Sequence, residues 1–204
     1  MDIAIVIYEG FDELDAIGPY EVFQNAAGAG AACETSLQTL DSSGLVTASH
    51  GLRVEPDGQL SDGDPDLVVV PGGGWNDRSG ASAWSEAKRG TIPDAIAELY
   101  ESGCTVAGVC TGGMLLAEAG ILDGRPAVTH AGALADLRET AATVVEARVV
   151  DDGDVLTAGG VTSGLDLALY VVEREFGSEI ADTVETEMEY ERRGTVHRGE
   201  RPAK

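Results

Sequence analysis

The chain has 204 residues, 43% of them apolar, with 36 acidic against 13 basic side chains and a formal net charge of −23. That length and apolar fraction suit one domain with a sizeable core and argue against disorder. There is no basic stripe and no apolar run long enough to span a bilayer, which argues against nucleic acid and membrane as partners.

The bases are nearly all arginine, since only Lys88 and Lys204 are lysine, and the acids are spread along the whole chain. An acidic surface poor in lysine and aromatics, on an ordinary core, predicts a protein that works in molar salt, where self-repulsion is screened to about 3 Å. The N-terminal MDIAIVIYEG enters a strand with no basic region or cleavage site, so no signal peptide is expected. Three cysteines without paired spacing point to a reducing compartment, the cytoplasm. Cys104 and Cys110, on or beside one strand, would lie about 20 Å apart, too far for a disulfide.

In chain order, Ile3–Tyr8 reads as a central parallel strand. A helix carrying Gly18-Pro19 in its first turn would then bury Tyr20, Val22 and Phe23. Thr35–Leu40 is the second strand, and Leu45–Thr47 with Leu52–Val54 a small antiparallel excursion at the sheet edge. Leu67–Val70 is a buried strand that stops at Pro71-Gly72-Gly73-Gly74. Trp75–Gly90, polar and rich in Gly and Ser, is either a lid or a loose surface connection. Thr91–Ser102 is a helix capped by Thr91 and ended by Gly103. Ala127–Thr129 is a short strand ending in His130, and Val144–Val150 pairs with Val155–Ala158 as a hairpin. Helices over Thr162–Phe176 and Ser178–Arg192 follow. Strands alternating with helices predict an α/β class with a mostly parallel sheet. One domain over residues 1–193 and a mobile polar tail over 194–204 are expected.

The chemistry centres on Thr105–Leu116, TVAGVCTGGMLL. A β-branched apolar strand meets a helix at Cys110, with Thr111, Gly112 and Gly113 making the turn. A side chain on such a turn stands above the sheet in a strained backbone, and the helix N-terminus favours thiolate. The pattern predicts an exposed cysteine nucleophile with a pKa below the free value of about 8.5. A small buried cysteine in a tightly packed βα unit gives the same residues. Ligands of parallel sheets bind beyond the carboxyl ends of the strands. That rule gathers the loop after Tyr8, the Pro71–Gly74 turn, Cys110 and His130.

The N–H groups of Thr111 and of Gly72 or Gly73 could form an oxyanion site, and Gly112 would let a substrate approach the backbone. Asp15, flanked by Leu14, Ala16 and Ile17, is the acid most drawn inward. Burial would raise its pKa and let a neutral carboxyl donate to the sulfur; a helix cap is its other use. His130 is either the partner base of Cys110 or a satisfied polar group. Asp166, in the buried-looking helix, needs a partner. No metal-ligand spacing, P-loop or dinucleotide fingerprint occurs, so no cofactor is expected.

Pro71-Gly72-Gly73, the VCTGG run around Cys110, Thr129-His130 and TAGGVTSGLDLAL over Thr157–Leu169 resemble the ThiJ/PfpI superfamily, from Ile3 to about Tyr190. The resemblance implies a class I glutamine-amidotransferase-like, flavodoxin-like three-layer sandwich with the cysteine on a nucleophile elbow. LDAIGPYEVF at Leu14–Phe23 and V-C-T-G at Val109–Gly112 look like its isonitrile hydratase branch, which also supplies the sensing half of some AraC-type regulators. It implies Cys110 as nucleophile, Asp15 as the paired acid, Thr111 as a second site residue, Gly73 as an oxyanion donor, a small-molecule substrate and a homodimer. Protease-like members carry His after the cysteine, where this chain has Thr111, and Glu where it has Asp15. Hydratases continue Thr-His with Trp, where this chain has Ala131-Gly132. Glyoxalase-like or amidase-like chemistry using His130, and a redox or small-molecule sensor using Cys110, are the alternatives.

Overall fold

Ile3–Ile7 is apolar without a break and buried throughout, as a strand covered on both faces must be. It forms β1 (Asp2–Val6), followed by α1 (Glu13–Gly28) and β2 (Glu34–Thr39), which returns parallel to β1. The computed structural model describes residues 1–41, 44–78 and 80–199. A hairpin of β3 (Val46–Thr47) and β4 (Arg53–Val54) and a short β5 (Gly58–Gln59) lead to β6 (Leu67–Val70). Then come α2 (Ala83–Arg89), α3 (Thr91–Ser102), β7 (Thr105–Val109) and α4 (Gly112–Glu118). A side unit holds β8 (Pro126–Ala127), α5 (Leu134–Arg138) and β9 (Thr143–Val144). The last elements are β10 (Val149–Asp151), β11 (Val155–Ala158), α6 (Ser163–Phe176), α7 (Ser178–Glu187) and β12 (Val196–Arg198).

The main sheet runs β12-β10-β11-β7-β6-β1-β2-β5, and only the β10–β11 pair is antiparallel. Helices α1, α6 and α7 pack together, as do α2, α3 and α4, so two helical layers enclose the sheet. This is the expected three-layer α/β sandwich. Its register aligns Val70 with Gly108 and Val109 with Ala158, which brings the residues after β6, β7 and β11 to one end of the sheet.

Several elements differ from the sequence reading. Helix α1 begins at Glu13 with Asp12 as N-cap, its carboxylate accepting from Leu14 N–H. Pro19 therefore falls in the second turn, where it withholds the i+4 donor from the Asp15 carbonyl. Close packing explains its use there: a Cβ on Gly164 would lie 3.4 Å from Pro19 Cγ, and one on Gly18 3.2 Å from Leu165. The described residues of the 75–90 stretch are anchored rather than loose. Trp75 is buried, Gly10 and Gly73 hold Ala81 and Ala83 close, and a reciprocal Ser82–Ser85 cap starts α2. Gly90, left-handed at φ +82, ends α2 and caps α3, so Thr91 is not the cap.

The strand before His130 shrinks to β8 and pairs with β9, outside the main sheet, so Val144 does not belong to the β10–β11 hairpin. Helix α7 stops at Glu187. The segment read as a tail contributes β12, a three-residue strand whose single apolar residue, Val196, gave no pattern to read; residues 200–204 lie outside the described residues. No helix among the described residues is long and apolar enough to cross a membrane.

Candidate active site

Cys110 is the first residue after β7, at φ +57, a left-handed conformation rare for a side chain of this kind. Its N–H donates to the carbonyls of Ala158 and Gly159 at 3.1 and 3.0 Å, and its carbonyl accepts from Thr129 Oγ1 at 2.8 Å. The strained turn is thus pinned from β11 and from the segment after β8. Glycines allow the crowding: a Cβ on Gly112 would sit 1.9 Å from the Val70 carbonyl oxygen, and one on Gly72 2.4 Å from Thr111 Oγ1.

Asp15 lies in the first turn of α1 and is fully buried. Its Oδ2 accepts from Gly72 N–H at 3.0 Å. Its Oδ1 is buried without a well-formed hydrogen bond, and the Cys110 thiol is the group left to interact with it. Burial, with the charge of Asp12 adding to it, pushes the Asp15 pKa up to about 8 against the pull of Gly72 N–H. Asp15 is therefore a neutral acid at pH 7, as the sequence predicted.

The thiol corrects the other half of that reading. Cys110 is buried, with 5% of its surface exposed, and burial followed by the charge Asp15 would carry pushes its pKa up to about 12. The N–H groups of Val161 and Thr111 donate to the sulfur but do not outweigh the lost solvation. The two groups form one coupled pair that holds both protons at neutral pH, and the first to leave comes chiefly from Asp15. Burial also raises the thiols of Cys104, to about 11, and of Cys33. All three cysteines are free.

The remaining expected residues surround this pair. Thr111 Oγ1 accepts from Gly73 N–H at 2.9 Å, so the N–H groups of Gly72, Gly73 and Thr111 are all engaged within the site in this state. His130 is half-buried at the next turn, and its Nδ1 accepts from Gly132 N–H at 3.0 Å, which places the proton of the neutral ring on Nε2. Its ring lies on Gly160, where a Cβ would meet Cδ2 at 2.7 Å, and Gly160 precedes Val161, the sulfur's donor. Trp75 is buried and donates from Nε1 to Asp136 on α5 at 2.7 Å. Asp166 is a structural group, paired with Arg148 at 2.5 Å and accepting from Tyr190 and Arg193 N–H.

Three contributors were not read from the sequence. Tyr8 donates to the Pro71 carbonyl at 2.9 Å, Thr129 holds the elbow carbonyl, and Val161 reaches the sulfur from φ +24. A phenol at the end of a central strand was the one available signal. A cavity of about 510 Å³ is lined by Tyr8, Glu86, Arg89 and Asp41 but by neither Cys110 nor Asp15. The paired titratable groups mark the site, not the size of a hollow. Among the described residues, Asp12, Glu13 and His50 bring three metal-capable atoms together, but His50 Nδ1 already binds Glu13 at 2.6 Å, tying the β3–β4 hairpin to α1.

A cysteine on a strained strand-to-helix turn, paired with a buried carboxyl across a flavodoxin-like sheet, defines a cysteine-elbow α/β protein. Residues 1–174 match the DJ-1/PfpI family, and the chain belongs to that family. It is 32% identical over 192 residues to an isonitrile hydratase of Pseudomonas putida, covering 93% of this chain and 78% of that protein. It is also 32% identical over 147 residues to the HTH-type transcriptional regulator CdhR of Pseudomonas aeruginosa, covering 68% of this chain and 40% of the regulator. A ThiJ/PfpI family protein from Pseudomonas syringae superposes with a TM-score of 0.82 at 26% identity, over 93% of this chain and 75% of that one.

Proposed function

We propose that the chain is a cysteine-dependent hydratase that converts an isonitrile, R–N≡C, to an N-substituted formamide. The observation that carries this reading is the pairing of Asp15, neutral at pH 7, with the Cys110 thiol on the elbow. An isonitrile carbon must receive a nucleophile and a proton together, and this pair holds both. Sulfur bonds the carbon as Asp15 gives that carbon its proton, and the thiol's own proton replaces the one Asp15 gave. The product is a thioimidate, R–N=CH–S–Cys110. Water adds to its carbon, the C–S bond breaks, and the thiol recovers a proton as the formamide leaves. In this reading the N–H groups of Gly73 and Thr111 serve as oxyanion donors, Gly112 lets the elbow pack against the turn after β6, and His130, with its ring proton on Nε2, is a donor rather than the base. The similarity to an isonitrile hydratase over most of both chains supports the same chemistry. The enzyme acts as a cytoplasmic homodimer on a small molecule in concentrated salt, in keeping with its free cysteines and charge of −23.

Asp15→Asn keeps the size of the side chain but cannot supply the proton. It should lower isonitrile turnover by about 10²–10⁴-fold, while His130→Ala changes it far less. Loss of 2-oxoaldehyde turnover in His130→Ala with Asp15→Asn unaffected would establish a Cys–His enzyme instead. A wild type that turns over neither substrate but cycles Cys110 through reversible oxidation would be a sensor, as the likeness to a regulator allows.

A further inference from the structure

The Pro71 carbonyl and the Gly72 N–H belong to one peptide group. That group accepts the Tyr8 phenol at 2.9 Å on its oxygen and donates to Asp15 Oδ2 at 3.0 Å from its nitrogen, and every member of this chain is buried. The next peptide group is held as firmly: the Gly72 carbonyl accepts from Asp12 N–H at 2.8 Å and Gly73 N–H binds Thr111 Oγ1. The Tyr8 ring is fixed by an edge contact to Phe11, with centroids 6.4 Å apart. We infer that Tyr8 is a positioning residue that sets how the Asp15–Cys110 pair divides its charge, acting through the Pro71–Gly72 peptide.

A hydrogen bond to the carbonyl oxygen polarises the peptide and makes its N–H a stronger donor, by about 10–30% per bond. The recipient is a carboxyl group, so the gain falls on its ionised form. The groups facing the pair are Asp12 at the N-cap of α1, Tyr8 after β1 and, beyond Tyr8, Glu86 on α2, and none of these side chains is a cation. The Tyr8 phenol itself stays protonated, held up by burial and by Asp15, so it acts only as a donor. Where two groups compete for one charge, weakening one acid enlarges the other's share. Without the phenol, Asp15 ionises less readily and Cys110 takes more of the first negative charge. The inference does not depend on which substrate the pair attacks.

The test is the rate of Cys110 alkylation by iodoacetamide between pH 6 and 10, read by peptide mass, in four forms of the full chain. Tyr8→Phe should raise the rate at about pH 8–9 by roughly two- to fourfold over wild type. In the Asp15→Asn background, where there is no carboxyl to compete, the same substitution should change nothing. Equal acceleration in both backgrounds would mean that Tyr8→Phe merely opens the site, and no acceleration in wild type would mean that the peptide does not relay; either overturns the inference. If Tyr8→Phe does not fold, 3,5-difluorotyrosine introduced at position 8 keeps the ring and strengthens the donor. It must then slow alkylation in wild type and not in Asp15→Asn, and an unchanged rate overturns the inference as well.

Discussion

Asp15 is where folding and chemistry pull in opposite directions. Its pKa is near 3.9 in an unfolded chain and is raised to about 8 in the fold, chiefly by burial. Between those values the unfolded chain has lost the proton and the folded chain has kept it, so stability falls by about 1.4 kcal/mol per pH unit. The contribution is fully present below about pH 4 and is lost as pH rises through about 8. Asp15→Asn removes this slope. Urea unfolding of both proteins in molar potassium chloride should show the variant gaining a few kcal/mol on wild type between pH 4.5 and 8. A difference that stays constant with pH would show that Asp15 ionises normally in the fold.

At the scale of elements, the site is assembled from turns after β1, β6, β7 and β11, and the sheet register fixes their relative heights. The far edge of that sheet is supplied by β12, a strand with Val196 as its one apolar residue. Beyond its pairing with β10, Gly199 N–H donates to the Asp151 carbonyl at 2.7 Å, and the Arg198 guanidinium lies 5.7 Å from the Tyr170 ring centre. Removing residues 194–204 should lower the unfolding free energy by about 1–3 kcal/mol through these lost contacts. Cys110 alkylation should keep its wild-type rate, since β11 separates β10 from β7. An unchanged urea midpoint would show that β12 adds nothing to the sheet's stability.

For the whole molecule, the buried arginines are neutralised by their own carboxylate partners and leave the net charge of −23 to act at the surface. Arg125 sits buried between Asp152 and Asp154 at 3.0 Å each, and Arg148, Arg174 and Arg192 are mostly buried against carboxylates. Each of these cations is matched by at least one carboxylate inside the fold, so the excess of acid that remains lies mostly on the outer surface. Repulsion on it reaches about 30 Å at 0.01 M salt and about 3 Å at 1 M. The melting temperature should climb steadily with potassium chloride to molar concentration. A flat profile would remove the case for a protein adapted to concentrated salt.

The sequence alone determined what is local. An unbroken apolar run makes a central strand, a thiol followed by Thr-Gly-Gly between strand and helix makes an elbow, and an acid among apolar neighbours goes inward. Hence β1, β6, β7, Cys110 and the raised pKa of Asp15 were all legible. What depends on which groups meet was not. The thiol's pKa turned on the balance between burial and two backbone donors, one of them from Val161, fifty-one positions along the chain, and only the fold sets that balance. His130 lost its place on the main sheet because β8 found β9 as its partner, and β12 stayed hidden because a three-residue strand with one apolar residue shows no alternation. The link from Tyr8 to Asp15 passes through a peptide group, which has the same chemistry at every position, so only tertiary structure could show which one stands between them.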